Sequence, residues 1–186
     1  MELKERILEA VLEEFNEKGI KFTMDDIAGR LGISKRTLYE TVRDKEALLL
    51  EAVDYVFNAI KESEQEIAED QALDTLEKLK RILIVLPRKY KSVDFRRLYD
   101  LKSRHPRIFA EIENRLETQW EATFDILNQA IDEGRVKRIS LPVFQAVVSG
   151  TIEYYLSRRV LLDCQLSYDE ALNQMLEIIM NGIIIS

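Results

Sequence analysis

Lys35, Arg36, Thr37, Tyr39 and Thr41 crowd hydrogen-bonding side chains into seven positions, and the chemistry they can do is recognition of a nucleic acid. An arginine can donate two parallel bonds to guanine, a threonine can offer its methyl to thymine, and the N-terminus of a helix attracts phosphate. Around them Ile27, Ala28, Leu31, Ile33, Leu38 and Val42 recur as an inward face, which leaves the polar set facing outward or along the rim. Glu40 shares the outward face; four residues from Arg36, it is read as a salt-bridge partner rather than a base reader. Residues 28–45 hold five basic side chains against two acidic ones, or +3.

Short, well-capped elements must hold such a face out. Thr23 can cap a helix over about 25–31, with Asp26 in the capping-box position and Gly32 at its end. Ser34 caps a second short helix to about Thr41, and a first helix, carrying Leu3, Ile7, Val11 and Phe15, covers about 3–17 and stops at Gly19. Two short helices joined by Gly32-Ile33 and packed on a preceding one describe a helix-turn-helix, whose second helix can enter a DNA major groove. Asp44 caps a long fourth helix, and the polar stretch 61–72 predicts a break. A fifth helix ends before Pro87, a sixth spans about 92–105, and Pro106 opens a seventh that runs to Gly134. Ser140 and Pro142 start an eighth that reaches about Asp163, and Ser167 with Glu170 starts a ninth ending near Gly182. About nine helices and no strict alternation make the expected fold all-α.

The segments Ile7-Leu8-Glu9-Ala10, Phe15, Lys18-Gly19, Thr23-Met24-Asp25-Asp26-Ile27-Ala28, Leu31-Gly32-Ile33-Ser34, Thr37-Leu38-Tyr39 and Lys45-Glu46-Ala47-Leu48 resemble the DNA-binding domain of the TetR family of bacterial repressors. The likeness covers about the first 50 residues; Thr41 stands where the family commonly has Tyr or His, and Val42 where it has Phe. It implies a three-helix DNA-binding domain over 1–48 and a helical effector-binding and dimerisation domain over 49–186. It puts Thr23 and Tyr39 on DNA phosphates and Lys45 near the phosphate backbone. Lys35, Arg36, Thr37 and Thr41 become candidates for groove contacts.

Beyond residue 50 the resemblance is architectural. Two helices near the C-terminus, about 141–163 and 168–184, would form a four-helix bundle with a second copy, through Val147, Ile152, Tyr155, Leu156, Val160, Met175, Leu176, Ile179 and Ile183; the alternative is that these stripes fill the monomer core. A dimer is expected because one short recognition helix is poorly specific, whereas a two-fold pair reads a palindromic double-stranded operator. A pocket for a small hydrophobic or amphipathic effector would lie among helices five to eight, with Leu86, Phe95, Leu98, Tyr99, Phe109, Trp120, Phe124, Phe144 and Tyr154 as candidates against a plain core role.

Charge qualifies this reading without excluding it. The chain of 186 residues carries a net −7, yet residues 78–107 hold eleven basic and two acidic side chains, while 51–77 hold one and nine. The basic block is read as a solvated face pairing with the acidic one, as a seat for an anionic effector, or as a source of long-range attraction to DNA. Arg96, Arg97, Lys102 and Arg104 would separate these readings. Enzyme signatures are thin: His105 sits alone before Pro106, Cys164 has no partner at metal-ligand spacing, and glycine-rich phosphate loops are absent, so neither catalysis nor a cofactor or metal is expected. No long apolar run or signal-peptide pattern is present, so the expected location is cytoplasmic and away from the membrane. The competing classes are a helical carrier that has lost DNA binding and an enzyme built on His105.

Overall fold

In the computed structural model, which describes residues 2–185, the apolar residues at the start of the chain form one continuous stripe. Helix α1 (Leu3–Lys18) buries Ile7, Leu8, Ala10, Val11 and Phe15 on that stripe and ends at Gly19, whose φ of 59° suits glycine. Helix α2 (Met24–Leu31) begins in a full capping box: Thr23 Oγ1 accepts the Asp26 N–H at 3.2 Å, and Asp26 Oδ2 accepts the Thr23 N–H at 2.7 Å. The hydrogen bond from Lys18, with those from Thr23, holds the Asp26 carboxyl down at about 2. Gly32, in the left-handed conformation, turns the chain into α3 (Lys35–Thr41), which Ser34 caps by accepting the Thr37 N–H at 3.0 Å. Leu38 and Leu48 are fully buried between these helices, each contributing about 2 kcal/mol.

A buried acid ties α1 to α2. Glu14 is only 3% exposed and receives Arg30 Nε at 2.7 Å and Lys18 Nζ at 2.8 Å. Arg30 also reaches Glu17 at 2.6 Å and Glu13 at 3.1 Å. Burial pushes the Glu14 carboxyl up, but the bonds from Lys18 and Arg30 outweigh it and leave it below the ordinary value.

Helix α4 (Lys45–Glu69), capped by Asp44, runs through most of the stretch 61–72 and ends at Asp70, so the expected break falls at its far end, over 70–74. Residues 61–69 are polar but mostly good helix formers, so polarity there marks a solvated helix rather than a loop. Helix α5 (Thr75–Leu83) follows, capped by Asp74. In place of the sixth helix expected from about residue 92, the chain forms a strap of two 3-10 turns, Arg88–Tyr90 and Phe95–Asp100, before the single turn α6 (Leu101–Arg104). The expected helix 106–134 is two: α7 (Pro106–Glu117) and α8 (Glu121–Asp132). Gln119, with φ of 62°, breaks the run, and Lys61 and Trp120 donate to the freed carbonyls of Gln119 and Leu116 at 2.9 and 2.8 Å. The expected eighth helix is α9 (Leu141–Ser157) followed by the short α10 (Val160–Asp163), and the ninth is α11 (Tyr168–Ile183), opened by the Ser167–Glu170 capping box.

Among the described residues no strand forms beyond one isolated bridge between Val136 and Ile184, and the fold is all-α. Buried side chains fall into two clusters. One runs from α1–α3 along α4 into Tyr90 and Val93 of the strap and Ile108, Phe109 and Ile112 of α7. The other joins α5, α8, α9 and α11 through Leu79, Leu127, Phe144 and Met175. No helix among the described residues is long and apolar enough to cross a membrane.

Candidate functional site

The capping and packing of α3 decide which of its side chains are free. Leu38 is locked inward, so Arg36, Tyr39 and Glu40 project from the head, meaning α1–α3 with the first turn of α4, the remaining helices being the body; the Arg36 side chain is 88% exposed and Tyr39 is 50% exposed. Arg36 Nε donates to Glu40 Oε1 at 2.9 Å, the pairing that their four-residue spacing predicts. Lys35 meets Asp25 at 2.7 Å, and this exposed contact keeps its ammonium charged. Thr37 closes the cap with Ser34 at 2.8 Å, and Thr41 donates to the Thr37 carbonyl at 3.2 Å. Thr23 sits at the start of α2 with its hydroxyl shared with Asp26. Apart from Glu40, these are the expected DNA contacts on α3 and at the α2 N-terminus; the exposed ion pairs of Lys35 and Arg36 are worth little in water and can be exchanged for a partner.

Lys45 is placed otherwise than expected. Its ammonium turns inward, over the Phe22 ring at 4.3 Å, and donates to the carbonyls of Ile20 and Phe22. Those carbonyls lie in and just after the 3-10 turn behind α1, and burial lowers the affinity of Lys45 for its proton. The exposed cation at this edge is Arg43, paired with Asp44 at 2.8 Å; only its place in the +3 window pointed to it.

The basic block is largely neutralised, by residues 51–77 only where Arg81 meets Glu77 at 2.9 Å and otherwise by acids elsewhere in the chain. Arg96 and Arg97 share Asp94, at 2.6 and 3.4 Å; Lys102 bridges Glu113 and Glu153, both at 2.9 Å; Arg104 faces Asp100 at 3.9 Å. Arg107 reaches Glu46 on the head at 3.1 Å. None of Arg96, Arg97, Lys102 and Arg104 lines the cavity described next.

That cavity, about 180 Å3, lies where the head meets the body. It is walled by Val11 and Phe15 of α1, by one ridge of α4, by the strap and by α7 and α9. One water needs ~10–15 Å3, so the space is more than ten times that. Of the expected pocket residues Leu86, Phe95, Leu98 and Trp120 line it. The others do not: Phe109 and Phe144 are sealed in the two cores, Phe124 stacks on Trp120 at 5.7 Å, Tyr99 lies under Arg159, and Tyr154 is exposed on α9. Aromatic type alone does not report the helix face on which each residue stands.

Lys61, Glu64, Arg115, Thr123 and Tyr168 also line the cavity, and the sequence reading misses them. Glu64 falls on the α4 stripe between Ile60 and Ile67, and Arg115 follows Ile108 and Ile112 on α7; a charge at an apolar position is the available signal. Burial raises the Glu64 carboxyl against the opposing pull of Lys61, which holds both its oxygens at 3.0 and 2.9 Å.

A second apolar set lies on exposed surface outside the cavity wall. Val143 (61% exposed), Val147 and Tyr154 stand out from α9, and Ile178 (75% exposed) stands out from α11. Of the expected dimer contacts, Val147 belongs to this surface. Leu156, Met175 and Ile179 are buried within the chain, while Ile152, Tyr155, Val160, Leu176 and Ile183 are half-buried. The apolar stripe of the sequence merges positions facing the monomer core with positions facing out.

Residues 7–52 match the pattern of bacterial regulatory proteins of the tetR family. Over 181 residues, 97% of this chain and 95% of the relative, the sequence is 29% identical to YvaF of Bacillus subtilis, an uncharacterized helix-turn-helix-type transcriptional regulator. The fold is shared with the fatty acid degradation regulator FadR of Bacillus halodurans at TM-score 0.70 and 16% identity, covering 98% of this chain and 97% of that one. A ketosteroid transcriptional regulator of Mycobacterium tuberculosis matches at TM-score 0.61 and 22% identity, covering 100% and 96%.

Proposed function

We propose that this chain, a transcriptional regulator of the bacterial TetR family and not an enzyme, is a repressor that binds a palindromic operator as a homodimer and is released by a small hydrophobic or amphipathic effector. One observation carries the effector reading: Val11, Leu12 and Phe15 of the head itself form a wall of the cavity. A ligand there touches the helix on which α2 and α3 are mounted, so it can favour one placement of the head over another. Release then follows from differential binding to the two placements, typically worth about 1–3 kcal/mol.

In this reading α3 enters the major groove. Arg36 leaves Glu40 for a base edge, Thr37 and Thr41 line the groove, and Lys35, Tyr39 and Thr23 meet phosphates or the groove edge. Lys45 acts indirectly by holding the turn between α1 and α2. The exposed faces of α9 and α11 meet those of a second copy, which sets two α3 helices on one side of the dimer for two half-sites. Its place of action is the cytoplasm, where the operator is.

Genomic footprinting followed by titration of the recovered operator across salt tests the proposal. The expected result is one palindromic site bound with a steep inverse salt dependence. Binding with no sequence preference, or a flat salt response, overturns it.

A further inference from the structure

The polar groups around the cavity are unequal in what they leave free. Lys61 spends its ammonium on both Glu64 oxygens and on the Gln119 carbonyl. Arg115 is committed to Asp54 at 3.3 Å and Asn58 at 2.5 Å, and its remaining Nε is sealed from any ligand, without a partner among the described residues. Positive charge at the cavity is therefore matched by Glu64 and Asp54. Tyr168 is the contrasting case. It lines the cavity beside Phe95, ring centres 5.2 Å apart, its hydroxyl finds no hydrogen-bond partner among the described residues, and the oxygen is not sealed off. Burial keeps the phenol protonated far above neutral pH, so it is a standing donor.

We infer that the cavity selects an uncharged, largely apolar molecule carrying one hydroxyl or carbonyl oxygen, bound through Tyr168 Oη, and that the Lys61–Glu64 pair keeps free carboxylates out. The inference rests on the reading of this cavity as the effector site and narrows its ligand class. An apolar body covers the Val, Ile, Leu and Phe side chains of the wall. A single oxygen on the ligand satisfies the unpaired Tyr168 hydroxyl, and Thr123 is the other hydroxyl-bearing residue of the wall. A carboxylate would enter a space whose cations are already paired, and an uncompensated charge in such surroundings is strongly disfavoured.

The full-length chain is titrated near neutral pH with decanol, decanoate and decane, followed by the fluorescence of Trp120, the single tryptophan, at the cavity wall. Decanol is expected to bind at least about tenfold more tightly than decanoate. Tyr168→Phe, which keeps the ring, is expected to weaken decanol about fivefold and leave decane unchanged. Glu64→Gln frees Lys61 and is expected to raise decanoate affinity about tenfold while leaving decanol nearly unchanged. Decanoate binding as tightly as decanol to the unaltered chain, an unchanged response in Tyr168→Phe, or no gain of decanoate binding in Glu64→Gln overturns the inference. Operator release is measured in parallel. Decanol that binds through Tyr168 yet leaves the operator complex intact refutes the effector role while the ligand class stands; release without dependence on Tyr168 does the reverse.

Discussion

Asn16 Oδ1 accepts the backbone N–H of Asp94 at 2.7 Å, and the amide of the same side chain donates to the Ser92 carbonyl at 2.8 Å. One side chain near the end of α1 thus grips the strap whose neighbouring residues Val93, Phe95 and Leu98 form part of the cavity wall. The strap has no continuous helical ladder of its own, so this grip adds to the burial of Tyr90 and Val93 and to the packing of Phe95–Asp100 on α9 in holding its wall residues.

Asn16→Ala removes both bonds and is expected to cost about 1–2 kcal/mol of stability. Its larger effect is on coupling: the ratio of operator Kd with and without decanol should fall toward one, while operator affinity in the absence of ligand stays close to that of the unaltered chain. Fluorescence anisotropy with labelled operator measures both. Asn16→Asp keeps the acceptor for Asp94 and loses the donor to Ser92, so an intermediate ratio is expected.

Arg36→Ala is expected to weaken operator binding by about 1–3 kcal/mol per contact and to relax preference at one base position in each half-site. Glu40→Gln should act in the opposite sense, since it releases Arg36 from its 2.9 Å partner and removes a negative charge from the face presented to DNA. Tyr39→Phe should lower affinity for all sequences alike, the signature of a phosphate contact. Binding series on the operator and on single-position variants distinguish the three patterns.

The head is legible because its signals are local: Thr23 with Asp26, Gly32, Ser34 and Asp44 each occupy the cap that their residue type predicts. The body is less so because its decisive contacts are distant. Nothing near Gln119 announces a break, which depends on Lys61 lying 58 residues away to take the freed carbonyl. Tyr154 and Phe124 carry the same apolar signal as Phe95, yet only the packing of whole helices decides which of them meets a cavity, a neighbouring ring or solvent. Glu64 shows what a sequence can still disclose: a carboxylate on an apolar stripe must find a cation, and Lys61 stands one helical turn before it.

The Glu14–Arg30 pair gives the head a defined acid response. With its folded-state carboxyl below the ordinary 4.5, Glu14 contributes stability that is complete above that value and is lost as pH falls through the lower, folded one. Arg30→Ala leaves a buried carboxylate with Lys18 alone and is expected to destabilise the chain by about 2–3 kcal/mol at neutral pH. In the variant, burial acts with less opposition, so protonation becomes favourable at higher pH. The stability gap between the two proteins should therefore narrow as the solution is acidified toward pH 4.5 and below. Urea unfolding at a series of pH values measures it; a constant gap would mean that Arg30 acts through packing rather than through the charge of Glu14.

Ile178 and Val147 test the second-copy face without touching the monomer core, because both side chains already project into solvent. Ile178→Arg places like charges opposite one another if the α11 faces meet across a two-fold axis, and a repeated contact doubles the effect of one substitution. The variant is expected to sediment as a folded monomer with unchanged helical content. Operator binding should then fall by much more than loss of any single α3 contact, since each head reads only a half-site. Val147→Glu should do the same from α9. Mixing the two variants should restore dimers in part, because each introduced charge then faces the unaltered residue of the other copy and no like charges are opposed. Monomeric unaltered protein would overturn the homodimer reading, and a dimer indifferent to both substitutions would place the association elsewhere on the chain.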